Sequence, residues 1–99
     1  MITYKLFRVM KDGSIASLFI NKNARHQMGV WLEAEDHPTK GYAHRFGWHS
    51  VAEPKAPHLS PYGRAWFKVE IEDYTILDKP LNQGAQWYIS KRIKIIQKL

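Results

Sequence analysis

The sequence predicts a mostly β protein, a single twisted antiparallel sheet curled into a roll or partial barrel. An α+β variant would add at most one or two short helices. Three stretches carry this reading. Residues 64–72 alternate, with Ala65, Phe67, Val69 and Ile71 on one side and Arg64, Trp66, Lys68, Glu70 and Glu72 on the other. That period of two marks a half-buried antiparallel strand. Asp12-Gly13 stands between two apolar runs, and this dipeptide predicts a tight hairpin whose two central residues both take positive φ. Near the end of the chain Ile93 and Ile95 flank Lys94, a pattern that favours a strand over a helix.

Taken in order, strands are expected at about 3–10 and 14–20, on either side of the Asp12-Gly13 turn. Asn21-Lys22-Asn23 ends the hairpin, and residues 21–29 read as a loop or one helical turn. Val30 to Ala34 is short and apolar, a strand. Glu35 to Gly41 is turn chemistry, punctuated by Pro38 and Gly41. Tyr42 to Arg45 and Trp48 to Val51 read as two short strands about Gly47. Pro54, Pro57 and Pro61 exclude regular structure across 54–61. After the strand at 64–72, Asp73 to Pro80 is expected to turn the chain away, and Asn82-Gln83-Gly84 is a loop. Trp87 to Leu99 closes the chain as a strand, with a helix over 85–92 as the alternative.

Ninety-nine residues make one domain, 1–99, without repeats or linkers. With 44% hydrophobic and 24% charged residues the chain has enough apolar material to fold. It contains no cysteine, which excludes disulfides, thiolate catalysis and cysteine zinc sites. No apolar run approaches the roughly 20 residues of a membrane-spanning helix. Met1 to Lys5 lacks the apolar core of a signal peptide. The expected location is the cytoplasm, with no membrane partner.

The net charge of +6 is unevenly spread. Residues 1–25 carry +4 and residues 83–99 carry +4, while the stretches 26–60 and 61–82 carry −1 each. If the two ends pair in space, they make one positive face that attracts phosphate.

Candidate chemistry concentrates between Gly41 and His58. Three of the five histidines, His44, His49 and His58, lie there with Arg45 and Trp48. With His37 they could in principle ligate a metal. However, His44 and His49 are five residues apart, on opposite faces of a regular strand, and no His-Glu-x-x-His signature exists. No metal site is therefore predicted. An acid–base site would pair His49 with Glu70 or Glu72 from a neighbouring strand. No nucleophile elbow, phosphate loop or dinucleotide fingerprint accompanies it. The basic and aromatic set is larger. Arg64, Trp66 and Lys68 share a strand face, Lys91, Arg92, Lys94 and Lys98 crowd the C-terminus, and Lys5, Arg8 and Lys11 join from the first hairpin. Cations interleaved with aromatics suit a phosphate backbone with stacked bases. Finally, Glu53 to Leu59 forms a rigid proline loop suited to a protein partner.

His44-Arg45-Phe46-Gly47-Trp48-His49, then Ala56-Pro57-His58-Leu59, then Arg64 to Ile71 resembles a group of small phage and prophage proteins. These carry an Arg-Pro-Gly-Trp-His element, a Pro-His element and a Val-Trp-x-Glu-Val-Glu strand, in that order. The resemblance covers roughly residues 40–75. Phe46 stands where the group usually has Pro, and Lys68 where it often has Glu. The likeness implies a phage or mobile-element origin, hence a host-cell cytoplasm. A layout with His on an early strand and Glu on a late one also resembles ADP-ribosyltransferase-like folds.

Three functions follow as expectations. The first is a non-catalytic accessory protein binding nucleic acid through Arg64, Trp66, Lys68, Lys91, Arg92 and Lys94, with Trp48 and the histidine-rich stretch alongside. This reading needs no cofactor. The second is an enzyme acting on a nucleotide-sugar such as NAD, with His49 positioning the ligand and Glu70 or Glu72 stabilising positive charge. The third is an inhibitor of a host defence protein, working through the proline loop.

Overall fold

The computed structural model describes residues 1–17, 25–34, 47–54, 62–77 and 86–99. Every regular element among them is a strand. β1 (Ile2–Val9) lies antiparallel to β6 (Arg64–Leu77), in register from Ile2↔Glu70 to Arg8↔Arg64. β6 lies antiparallel to β7 (Trp87–Lys98), from Phe67↔Lys98 to Leu77↔Trp87. β5 (Trp48–Val51) closes the ring. It pairs with β7 from Trp48↔Ser90 to Val51↔Trp87, and with β1 at Tyr4↔Val51. The four strands thus form a small barrel in the order β1-β6-β7-β5. Beyond β5 the barrel wall continues with short strands. β2 (Ile15–Ala16) adds to β1 and β3 (Arg25–His26) to β2, while β4 (Trp31–Glu33) adds to β7. A mostly β, antiparallel, partial barrel is therefore what the chain forms.

The inward rows follow the expected alternation. Phe7, Ile15, Phe67, Val69, Ile71, Tyr88, Ile93 and Ile95 make the core. Phe7 and Phe67 meet edge to face at 5.5 Å. Burying each such side chain stabilises the fold by about 1.5–3 kcal/mol.

Several local expectations are corrected. The β1–β2 turn has three loop residues, not two: Met10 and Ser14 close it, and the Gly13 amide donates to the Met10 carbonyl. Gly13 takes φ 85, but Asp12 does not need positive φ. Its carboxylate accepts from both the amide and the hydroxyl of Ser14, which holds a turn of the type followed by a left-handed glycine. The second strand is described only over Ile15–Ala16, since residues 18–24 lie outside the described residues. Residues 25–26 are a strand where a loop or helical turn was expected, and the Gly29 amide then ties the next turn to the Ile95 carbonyl at 2.8 Å.

The largest correction is at Asp73. β6 runs on through Asp73 to Leu77, where a turn was expected. Asp73 takes φ 51, a left-handed conformation that Asp tolerates better than most residues. The chain kinks there without leaving the ladder, and Glu72↔Arg92 and Tyr74↔Ser90 stay in register on either side. Burial on β7 switches parity near the same level. Ile93 and Ile95 are buried on one side of exposed Lys91, and Tyr88 and Ser90 on the other. The helical alternative for 85–92 gives way to strand from Trp87. The expected strand at 42–45 and most of the proline segment, 55–61, lie outside the described residues. Among the described residues no helix is long and apolar enough to cross a membrane.

Candidate functional site

Residues directly opposite on adjacent antiparallel strands share a face, so the register orders the outward side chains into rows. One row runs Glu33–Arg92–Glu72 across β4, β7 and β6. Arg92 forms an ion pair with Glu72 and lies 3.8 Å from Glu33. The next row runs Ile2–Glu70–Lys94–Trp31, with the Lys94 ammonium 5.0 Å from the Trp31 ring centre. This end of the face alternates in sign. With Arg92 and Glu72 both about 40% exposed, Glu72→Gln should change stability by less than about 1 kcal/mol in urea unfolding.

The other end of the face is different. Arg64, Arg8, Ala16 and Arg25 form one row across β6, β1, β2 and β3. Arg64 and Arg8 face each other with Cα atoms about 5 Å apart, and the row holds no carboxylate. Ala16, fully buried, separates Arg8 from Arg25. Arg8 also donates to the Met10 sulfur at 3.6 Å. Adjoining rows add Leu6–Trp66 and Tyr4–Lys68–Gln97. Tyr62, two residues before Arg64, is 92% exposed. Asp12 stands nearby at the hairpin tip. The Ser14 hydroxyl and amide hold its carboxyl below the usual range, and Arg25 adds a weaker pull.

A second polar cluster lies inside the barrel. Thr3, Lys5 and Phe7 form an inward row on β1, with Lys5 opposite Phe67. Lys5 was grouped with the outward cations, but the structure turns it in. The β1–β5 seam is one pair long, at Tyr4↔Val51. Beside it the Lys5 ammonium donates to the His49 carbonyl at 2.6 Å, doing what a ladder amide would do in a longer seam. The same ammonium is 5.5 Å from the Phe7 ring centre. Lys5 as a whole is partly exposed, but burial of its charged end pushes the pKa down to about 8. Thr3 and Ser50, both buried, share a hydroxyl hydrogen bond of 2.9 Å. The His26 ring stands edge-on to Phe7 at 5.8 Å and to Trp48 at 5.2 Å, with Nε2 2.8 Å from the Ser17 hydroxyl. Trp48 packs on the core, and its Nε1 is buried with no hydrogen-bond partner.

The sequence-selected residues are therefore divided. Arg64, Trp66 and Lys68 share the outward face of β6, as expected. Lys91, Arg92 and Lys94 lie on β7, with Arg92 and Lys94 opposite glutamates rather than joined to the cations of β1. The terminal strands both flank β6, one on each side, so the two basic ends do not merge directly. Trp48 points inward and packs on the core, while remaining partly exposed. His49 alternates to the face opposite Trp48 and Ser50. It does not stand on a strand neighbouring Glu70 and Glu72, because β1 and β7 separate β5 from β6 on both sides. His44, Arg45 and His58 lie outside the described residues. Among the described residues no three His, Asp or Glu side chains gather closely enough to hold a metal. Sequence reasoning missed Arg25, His26, Trp31 and the inward turn of Lys5. The alternation Thr3-Lys5-Phe7 was the available signal for the last.

No protein-family model, curated protein or solved structure matches this chain.

Proposed function

We propose that the chain is a small phage-type accessory protein of the host cytoplasm that binds nucleic acid through the arginine end of its outer face. The observation that carries this reading is the row Arg64–Arg8–Ala16–Arg25, in which three guanidinium side chains share one face with no carboxylate in the row. Like charges directly opposite each other destabilise a strand pair. Arg8 against Arg64 sets two guanidinium groups side by side, an arrangement suited to holding phosphate. Partly exposed Trp66, opposite buried Leu6, and partly exposed Lys68 adjoin the row one and two steps on. Exposed Tyr62 offers a ring for stacking at its edge. The phage assignment rests on the resemblance across residues 40–75.

Fluorescence anisotropy with labelled single-stranded and duplex probes at low salt tests the proposal. Binding should weaken steeply as salt rises. The triple variant R8Q/R25Q/R64Q should lose at least about tenfold in affinity and flatten the salt dependence by about two to three phosphate contacts. Tyr62→Ala should weaken single-stranded probes more than duplex. A Lys91→Gln/Lys94→Gln variant should lose less than the triple, since Lys94 lies opposite Glu70 and over Trp31. Undetectable binding at low salt, or equal affinity for the triple variant, would reject the reading.

A further inference from the structure

We infer that the barrel interior beside β5 is a binding site for a small oxyanion, a carboxylate or phosphate group held between Lys5 Nζ and Trp48 Nε1. The argument is a hydrogen-bond balance. An ammonium has three donors, and among the described residues Lys5 spends one of them, on the His49 carbonyl. The indole of Trp48 has one donor, buried and unspent. Buried donors of both kinds ordinarily find acceptors, because an unmet one costs stability.

Both donors lie on inward rows of adjoining strands, β1 and β5. The carbonyl that Lys5 holds is that of the residue after Trp48, and the ring contacts run from Lys5 to Phe7, to His26, to Trp48 without a break. The inward rows around them supply little compensating charge. Thr3 and Phe7 on β1, Ser50 on β5, and Phe67 and Val69 on β6 carry no ionisable group. The other ionisable groups on this face are His26, on Ser17, Tyr88, whose hydroxyl donates to Gln86, exposed Tyr74, edge-on to Tyr88, and exposed Lys98, a second cation opposite Phe67. An interior with an unmatched cation and an unmatched N–H suits an acceptor of negative charge. This site is separate from the outer arginine row and does not depend on it. Lowering of the Lys5 pKa by burial fits a cation that lacks its counter-ion.

The test is an NMR titration of the four tryptophan indole N–H signals with inorganic phosphate and, separately, with sodium acetate. Sodium chloride at matched ionic strength is the control, and W48F identifies the Trp48 signal. The R8Q/R25Q/R64Q protein serves as background, so that anions on the outer face do not contribute. A saturable shift of the Trp48 signal with phosphate or acetate, absent with chloride, is the expected result, and whichever anion saturates at lower concentration names the class. Lys5→Met should weaken that binding at least tenfold, and binding to the unsubstituted site should fade as pH rises past about 8. If Lys5→Met fails to fold, W48F decides instead, read on the Lys5 side-chain carbon signals. Unchanged anion affinity in W48F would overturn the inference. So would a Trp48 signal that ignores both anions or moves only linearly with them, which would leave water as the acceptor for both donors.

Discussion

Gly47→Ala should destabilise the fold by roughly 3–5 kcal/mol, one of the largest effects expected of any single methyl group here. Two causes act together. Gly47 takes φ 143, a conformation L side chains rarely adopt. A Cβ built there would also sit 2.3 Å from the Ile89 Cγ2 and 2.9 Å from the Ser90 carbonyl oxygen. The Ile89 methyl can swing away. The carbonyl cannot, because Ser90 is locked in the ladder opposite Trp48. Gly47 is the residue at which the chain enters β5, so the clash falls on the strand that closes the barrel. Urea unfolding of Gly47→Ala and of Gly47→Ala/Ile89→Ala separates the causes. The double variant should recover little, since the carbonyl contact and the backbone strain persist. A Gly47→Ala protein within about 1 kcal/mol of the parent would show that β5 enters the barrel by a different path.

The same residue shows how far the sequence could be read. Gly47 was legible as punctuation between short strands, but its close approach to Ser90 was not, because that depends on which strand β5 joins. Local signals identified the long elements well. The alternation of Arg64 to Glu72 holds residue by residue, with Phe67, Val69 and Ile71 buried. Asp12-Gly13 marked the first hairpin correctly and its loop length wrongly. Ser14 offers Asp12 two local hydrogen bonds, and these stabilise a longer loop that the dipeptide alone does not announce. At Asp73 the acid was read as the start of a turn. Asp in a left-handed conformation serves a strand kink as readily as a turn, and only the ladder beyond it distinguishes the two.

The outer face was legible within one strand and opaque between strands. Period two places Arg64, Trp66 and Lys68 together without any structure. Adding Arg8 requires the β1–β6 register, and adding Arg25 requires two further pairings through Ala16. The same non-local pairings set the C-terminal cations against Glu70 and Glu72, so their charge is answered locally. They also put β5 and β6 on opposite sides of the ring, which removes the expected neighbour relation between His49 and the glutamates. Lys5 misled because lysine is rarely buried, and its position in an inward row carries less weight in a sequence than its charge.

Raising the pH from 8 to about 10.5 should stabilise the protein by about 3 kcal/mol through Lys5 alone. Burial lowers the amine from its ordinary value of 10.5 to about 8 in the folded state. Below pH 8 both states carry the proton, and the folded state bears the full cost of enclosing an ammonium. Between the two values the folded amine is neutral while the unfolded one is still charged. The unfolded state then binds more protons, so stability rises with pH. Above 10.5 both are neutral, and the gain is complete. The neutral amine still donates to the His49 carbonyl, so the stitch across the β1–β5 seam survives deprotonation. Tyrosines and the surface lysines titrate in the same range, and Lys5→Met, compared at each pH, subtracts their contribution. Urea midpoints should climb more steeply for the parent protein than for Lys5→Met, and parallel curves would mean that the amine is hydrated and its burial overstated. A bound oxyanion opposes the same desolvation. Phosphate or acetate should therefore displace the climb to higher pH in the parent protein and leave Lys5→Met where it was, tying the proton and the anion to one buried nitrogen.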